Sequence, residues 1–181
     1  MYIDQNKLSP EMVIKGTTAV SLAWKDGVIL GADRRVSAGT FMAGSLQKVF
    51  KLTPKIGICV AGLVSDAQAL VEFLQIQLKL YRLENGYEPT VKIAAHLLSL
   101  VLHSGYKRFM LYWTQLLVGG LDDQGSHIYS IDPTGGIHEE KYAVIGSGSL
   151  LALGFMEQKY KEIENGPKEK AVEVAETALR S

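Results

Sequence analysis

Residues 17–36 read TTAVSLAW, then Lys25-Asp26-Gly27, then VILGADRRV. Two β-rich runs flank an Asp-Gly step, and that step supplies the backbone conformations a tight hairpin turn requires. A second pair of runs follows, QKVFKLT over 47–53 and IGICVAG over 56–62, separated by Pro54-Lys55. The strand-like pattern begins only at Thr17. Residues 1–16 mix polar side chains with Pro10 and show no period, so they read as an appendage to a domain of residues 17–181.

Beyond the second pair the period changes. Ser65-Asp66-Ala67-Gln68 has the form of a capping box. Behind it Leu70, Phe73, Leu74, Gln77, Leu78 and Tyr81 share one helical face, which Gly86 and Pro89 terminate. A second helix is expected from near Thr90 through VKIAAHLLSLVLHSG. It is apolar around most of its circumference, which predicts burial on more than one side. TQLLVGGLD, SHIYSID, a Pro-Thr-Gly-Gly turn and IHEEKYAVIG then read as a strand meander. The helical period returns in LLALGFMEQKYKEI and stops at Asn165-Gly166. Pro167 suits the start of a last helix with Ala171, Val174, Ala175, Ala178 and Leu179 on one face. Strand blocks separated by helix pairs argue for α+β layering, with antiparallel sheets covered by helices.

The chain has 181 residues, 19 basic and 19 acidic, so its net charge is zero and it carries no electrostatic footprint for nucleic acid or a membrane surface. At 47% hydrophobic and 21% charged it has the composition of one ordinary globular domain. Cys59 is the single cysteine, which excludes an internal disulfide framework and a cysteine-based zinc site and points to a reducing compartment. No apolar run approaches the roughly 18 residues of a membrane helix, and the first 16 residues lack a secretory apolar core. A cytoplasmic location is the expectation.

Several familiar motifs fail. Gly146-Ser147-Gly148 begins like a dinucleotide fingerprint, but Leu151 stands where the third glycine belongs. There is no Walker loop and no G-x-S-x-G elbow. His96, His103, His127 and His138 have no metal-ligand spacing, and Cys59 sits inside a strand-like run as a small buried hydrophobe. What remains is Lys15-Gly16-Thr17-Thr18. Thr17 is either a residue that begins a strand or a nucleophile. The second holds only if the Gly16–Thr17 bond is cut, because a terminal threonine then has its own α-amine, with a pKa of about 8, as an adjacent base.

Gly16-Thr17-Thr18, GVILGADRRV with Asp33, then Lys48, VAGLVSDAQ and IGSGS occur in that order. Together they make the sequence resemble the β subunits of the proteasome, closest to the archaeal type, from residue 17 to the end. The family consists of N-terminal-nucleophile hydrolases. The resemblance implies a four-layer αββα sandwich of two antiparallel sheets. It implies Thr17 as the nucleophile, Lys48 as the lysine whose charge favours deprotonation of the threonine, and Asp33 as its acidic partner. It further implies the backbone N–H of Gly62 as oxyanion donor and Ser147 as a hydroxyl beside the nucleophile. Val36, Leu46, Val60 and Val64 fall at the positions of the specificity pocket and are all apolar, so cleavage after hydrophobic residues is expected.

Residues 1–16 would then be a propeptide, removed when the Thr17 hydroxyl attacks the Gly16 carbonyl and the resulting ester is hydrolysed. The family continues beyond the last helix into a stretch with an Asp and a Ser near the nucleophile and then closing strands. This sequence ends at Ser181, so the second sheet is expected to be incomplete. The resemblance implies no metal or organic cofactor. It implies seven-membered β rings flanked by α rings and opened by an ATPase cap, acting on unfolded polypeptides. Two readings stand: a threonine endopeptidase, or a non-catalytic or unprocessed ring subunit.

Overall fold

The computed structural model describes residues 17–38 and 41–180, and for 35–38 and 41–44 it describes the backbone alone. The propeptide assigned to residues 1–16, with Gly16, lies outside the described residues. The first hairpin forms, but its two turn residues are Lys25 and Asp26 and the glycine already belongs to the second strand: β1 (Thr18–Trp24) pairs antiparallel with β2 (Gly27–Ala32), Ala19 opposite Ala32 and Trp24 opposite Gly27. The run GADRRV does not continue as one strand, because β2 ends at Ala32 and a short hairpin of β3 (Arg35–Ala38) and β4 (Phe41–Ser45) follows. β5 (Val49–Lys51) and β6 (Ile56–Gly62) make the second pair, β5 being shorter than its run suggests.

Helix α1 spans Val64–Asn85 and closes on Gly86 at φ 78°, a left-handed cap whose N–H bonds to Arg82 O. Its start departs from the capping box. The N-cap is Leu63, with no side-chain cap bond, and the Asp66 carboxylate instead accepts from Trp113 N at 2.9 Å. Thr90 does cap α2 (Val91–Lys107), its hydroxyl accepting from Ile93 N. α2 buries one face only: Val91, Ala94, Ala95, Leu98 and Leu102 are inside, while Leu100 on the far side is 66% exposed.

β7 (Thr114–Asp122) and β8 (Gly125–Ile131) follow the predicted pattern. IHEEKYAVIG does not, since it divides at Lys141 between the two sheets. β9 (Ile137–Glu140) pairs with β8, whereas β10 (Tyr142–Gly146) crosses over to pair with β1. A run of continuous alternation hides such a crossing, because both halves keep the period of two. Helices α3 (Ser149–Ile163) and α4 (Lys168–Arg180) follow.

The result is an α+β sandwich of two antiparallel sheets, with strand orders β10-β1-β2 and β5-β6-β7-β8-β9. Side-chain alternation assigns the layers. Val20, Leu22 and Trp24 of β1 pack with Met156, Tyr160 and Ile163 of α3 and Ala171, Val174 and Ala175 of α4. Ile58, Val60, Leu116 and Val118 face Leu70, Leu74 and Leu78 of α1 and Leu98 and Leu102 of α2. Each such fully buried aliphatic side chain contributes about 1.5–3 kcal/mol. Between the sheets lie Ala19, Ala23, Cys59, Ala61, Leu117, Ile128, Ala143 and Ile145. Half of these are alanines, and the small side chains let the sheets approach closely. No helix among the described residues is long and apolar enough to cross a membrane.

Candidate active site

Thr17 immediately precedes β1, at the edge of the sandwich where the ends of β2, β6, β7 and β10 converge. Asp33 lies one residue past β2 and extends the hairpin ladder by side chain and backbone: its N–H donates to Thr18 O at 3.1 Å, and its Oδ1 accepts from Thr18 N at 3.3 Å. Lys48 leads into β5, and its carbonyl accepts from Val60 N at 2.9 Å, which anchors it to β6. From there its buried side chain (6% exposed) donates to Thr17 Oγ1 at 2.9 Å and to Asp33 Oδ1 at 2.8 Å. An ammonium in that position needs a carboxylate near it, and Asp33, 22% exposed, provides one.

Gly62 ends β6 at φ 119°, a conformation that side-chain-bearing residues rarely adopt, and any Cβ there would overlap Trp113 O. That same carbonyl accepts from Leu63 N at 2.8 Å, so the turn after Gly62 is pinned to β7. Gly146 ends β10 at φ 95°, where a Cβ would overlap the carbonyl oxygen of Thr17. It thereby brings Ser147 beside the threonine, with Ser147 Oγ 3.5 Å from Thr17 O, a long contact.

Two depressions meet at Thr17. A narrow crevice is lined by Thr17, Leu46, Lys48, Phe50, Val60 and Val64, together with Gly62 and Gln68. A cleft of about 440 Å³ on the other side is lined by Thr17, Gly62, Trp113, Gln115, Pro133 and Ser147. Leu46, Val60 and Val64 thus share the crevice with the threonine, whereas the side chain of Val36 lies outside the described residues. Thr17 and Gly62 line both crevice and cleft.

Sequence reasoning missed Asp66, Trp113 and Gln115, which brace this edge. The only hint was a lone glutamine at the end of an inward-facing row, Gln115, Leu117 and Gly119. Cys59 is fully buried between the sheets, and desolvation pushes its thiol up to about 12, so it stays a protonated apolar filler. His96 and His103 are exposed on α2, bonded to Lys92 O and Thr134 O. Among the described residues no group of three or more His, Cys, Asp or Glu side chains is arranged to hold a metal ion.

The profile of the family described as proteasome subunit matches residues 13–181. A proteasome subunit beta of Ferroglobus placidus is 42% identical over 173 residues, covering 94% of this chain and 80% of the relative. One from Methanopyrus kandleri is 39% identical, covering 94% of this chain and 81% of the relative. A proteasome subunit beta 2 of Korarchaeum cryptofilum is 43% identical, covering 90% and 81%. A sandwich of two antiparallel sheets between helix pairs, and identity near two fifths across nearly the whole chain, lead to one conclusion: the chain belongs to the proteasome subunit family, as a β subunit.

Proposed function

We propose that this subunit is a threonine endopeptidase of a proteasome core, with Thr17 as nucleophile once the Gly16–Thr17 bond is cut. The observation that carries the reading is the buried Lys48 ammonium, 2.9 Å from Thr17 Oγ1 and held there by Asp33. A lysine serving only structure would satisfy Asp33 without aiming at a threonine hydroxyl at the mouth of two depressions.

The chemistry follows from that placement. In the precursor, Thr17 Oγ1 bonds to the Gly16 carbonyl carbon while its proton passes to the Thr17 nitrogen, the C–N bond breaks to free the Thr17 amine, and water then hydrolyses the ester, releasing the leader acid and the Thr17 hydroxyl. In the mature subunit the hydroxyl gives its proton to that amine, through a water, as Oγ1 bonds to the substrate carbonyl carbon. The Lys48 charge stabilises the oxygen as it becomes anionic, and the Gly62 N–H receives the carbonyl oxyanion. A donor of this kind contributes about 3 kcal/mol. Collapse breaks the peptide C–N bond, and the protonated amine returns its proton to the leaving nitrogen. Water then resolves the ester with the amine as base. Ser147 helps organise the amine and that water.

The crevice of Leu46, Val60 and Val64, joined by Val36, receives the side chain before the scissile bond, which favours hydrophobic residues. Assembly is into seven-membered β rings with α rings and an ATPase cap in the cytoplasm, acting on unfolded polypeptides, as the family membership suggests. The test is hydrolysis of a peptide with leucine before the scissile bond, by the wild type and by Thr17→Ala, with N-terminal sequencing of both. A wild type that starts at Thr17 and is active, beside an inert variant, supports the reading. Equal hydrolysis by both, or assembled wild type that keeps Met1 and has no activity, overturns it in favour of a purely structural subunit.

A further inference from the structure

We propose that Gln115 is a positioning residue that holds the Gly146–Ser147 turn in place beside the nucleophile, an inference that rests on the reading of Thr17 given above. On β7, Leu117 belongs to the layer between the sheets, and Gln115, two residues earlier, faces the same way. At that end the apolar filling gives out and the sheets open toward the cleft. Gln115 spans the gap: its Oε1 accepts from Gly146 N at 3.0 Å. The donor is a backbone N–H, so the amide oxygen must be the atom that faces it.

The position of this bond gives it consequences. Across the ladder Gln115 is opposite Ala61, next to Gly62, and Gly146 is opposite Thr18, next to Thr17. One side chain therefore ties β7, the neighbour of the strand that carries the Gly62 N–H, to the turn that carries Ser147. Gly146 is also the residue whose backbone abuts the Thr17 carbonyl. Without an acceptor at 115, the Gly146 N–H turns to water and the Ser147 hydroxyl loses its fixed distance from the threonine. Gln115 touches no reacting atom in this scheme and acts through the turn.

The experiment is steady-state hydrolysis of the same leucine peptide by the assembled full chain as wild type, Gln115→Met, Ser147→Ala and the double variant. Thermal midpoints are measured for each. Methionine keeps the length of glutamine but cannot accept the bond. Gln115→Met should lower kcat by about 10- to 100-fold, as small misplacements of catalytic groups do, with KM within roughly twofold and an unchanged midpoint. The double variant should be no slower than the slower single, because both changes disable one unit. Wild-type kcat in Gln115→Met or in Ser147→Ala, losses that multiply, or a kcat loss in Gln115→Met accompanied by a lowered midpoint would overturn the inference alone. Wild-type hydrolysis that survives Thr17→Ala overturns the nucleophile assignment, and this inference with it.

Discussion

Lys48 donates to Thr17 Oγ1 across 2.9 Å while its own charge is balanced by Asp33 at 2.8 Å, so one ammonium links the residue before β1 to the residue after β2. Removing it disturbs both partners. Lys48→Met keeps the aliphatic bulk but leaves Asp33 with no ammonium and Thr17 Oγ1 with no charged donor. Peptide hydrolysis should fall about 100- to 1,000-fold, the cost of losing a preorganised charge at the reacting oxygen. Stability should fall by about 1–3 kcal/mol, as for a largely buried group that loses its partner. Urea denaturation and kcat measured on the same preparation check both figures. Unchanged kcat would mean the lysine is only a structural ion-pair member.

Gly62 is a position with no room for a side chain. Its φ of 119° is strained for any L residue, and a Cβ would overlap Trp113 O, the acceptor of the Leu63 N–H. Gly62→Ala should therefore destabilise the domain by at least about 1–3 kcal/mol from backbone strain. It should also abolish hydrolysis, because relief of the clash turns the residue-62 N–H away from the cleft. Thermal midpoint and kcat are the readouts, and a variant with wild-type values of both would exclude Gly62 as an oxyanion donor.

The crevice predicts a specificity change. Val64 opens α1 and faces Thr17 along with Leu46 and Val60. A cation placed there by Val64→Lys would meet an aliphatic substrate side chain with no partner for its charge. The preference between leucine and glutamate peptides, read as a ratio of kcat/KM, should shift toward glutamate. The leucine side should lose about 10- to 100-fold, the equivalent of the roughly 1.5–3 kcal/mol that burial of such a side chain provides. An unchanged ratio would place the substrate side chain elsewhere.

Much of this was legible before any coordinates. The first hairpin, the strands Thr114–Asp122 and Gly125–Ile131, the Thr90 cap and the inward face of the last helix are local signals, set by turn chemistry and period. Thr17, Asp33, Lys48, Gly62 and Ser147 were nameable only through resemblance, because they come from separate segments and no spacing rule joins residues 17 and 48. The division of 137–146 between sheets was hidden, since crossing at Lys141 preserves alternation. The Ser65–Gln68 capping box did not form, and the Asp66 carboxylate went unread, because its bond to Trp113 N joins residues 47 apart in the chain.

The turn that carries Pro133 to the cleft should make the domain acid-sensitive. Asp132 Oδ1 accepts from Thr134 N at 2.7 Å, Thr134 Oγ1 at 2.6 Å and Gly136 N at 3.1 Å. Partial burial pushes the Asp132 carboxyl up, but these bonds from Thr134 and Gly136, with help from His138, outweigh it and hold the carboxyl below its ordinary value. A depressed folded-state value means that the ionised form stabilises the fold above the unfolded value of about 3.9. That contribution is lost as pH falls through the lower, folded value. Asp132→Asn removes the titration while keeping an oxygen in place. Urea midpoints measured from pH 6 down to pH 2 should fall more steeply for wild type than for the variant, and the two curves should converge at the acid end. Curves that stay parallel over the whole range would show that Asp132 is not the group responsible.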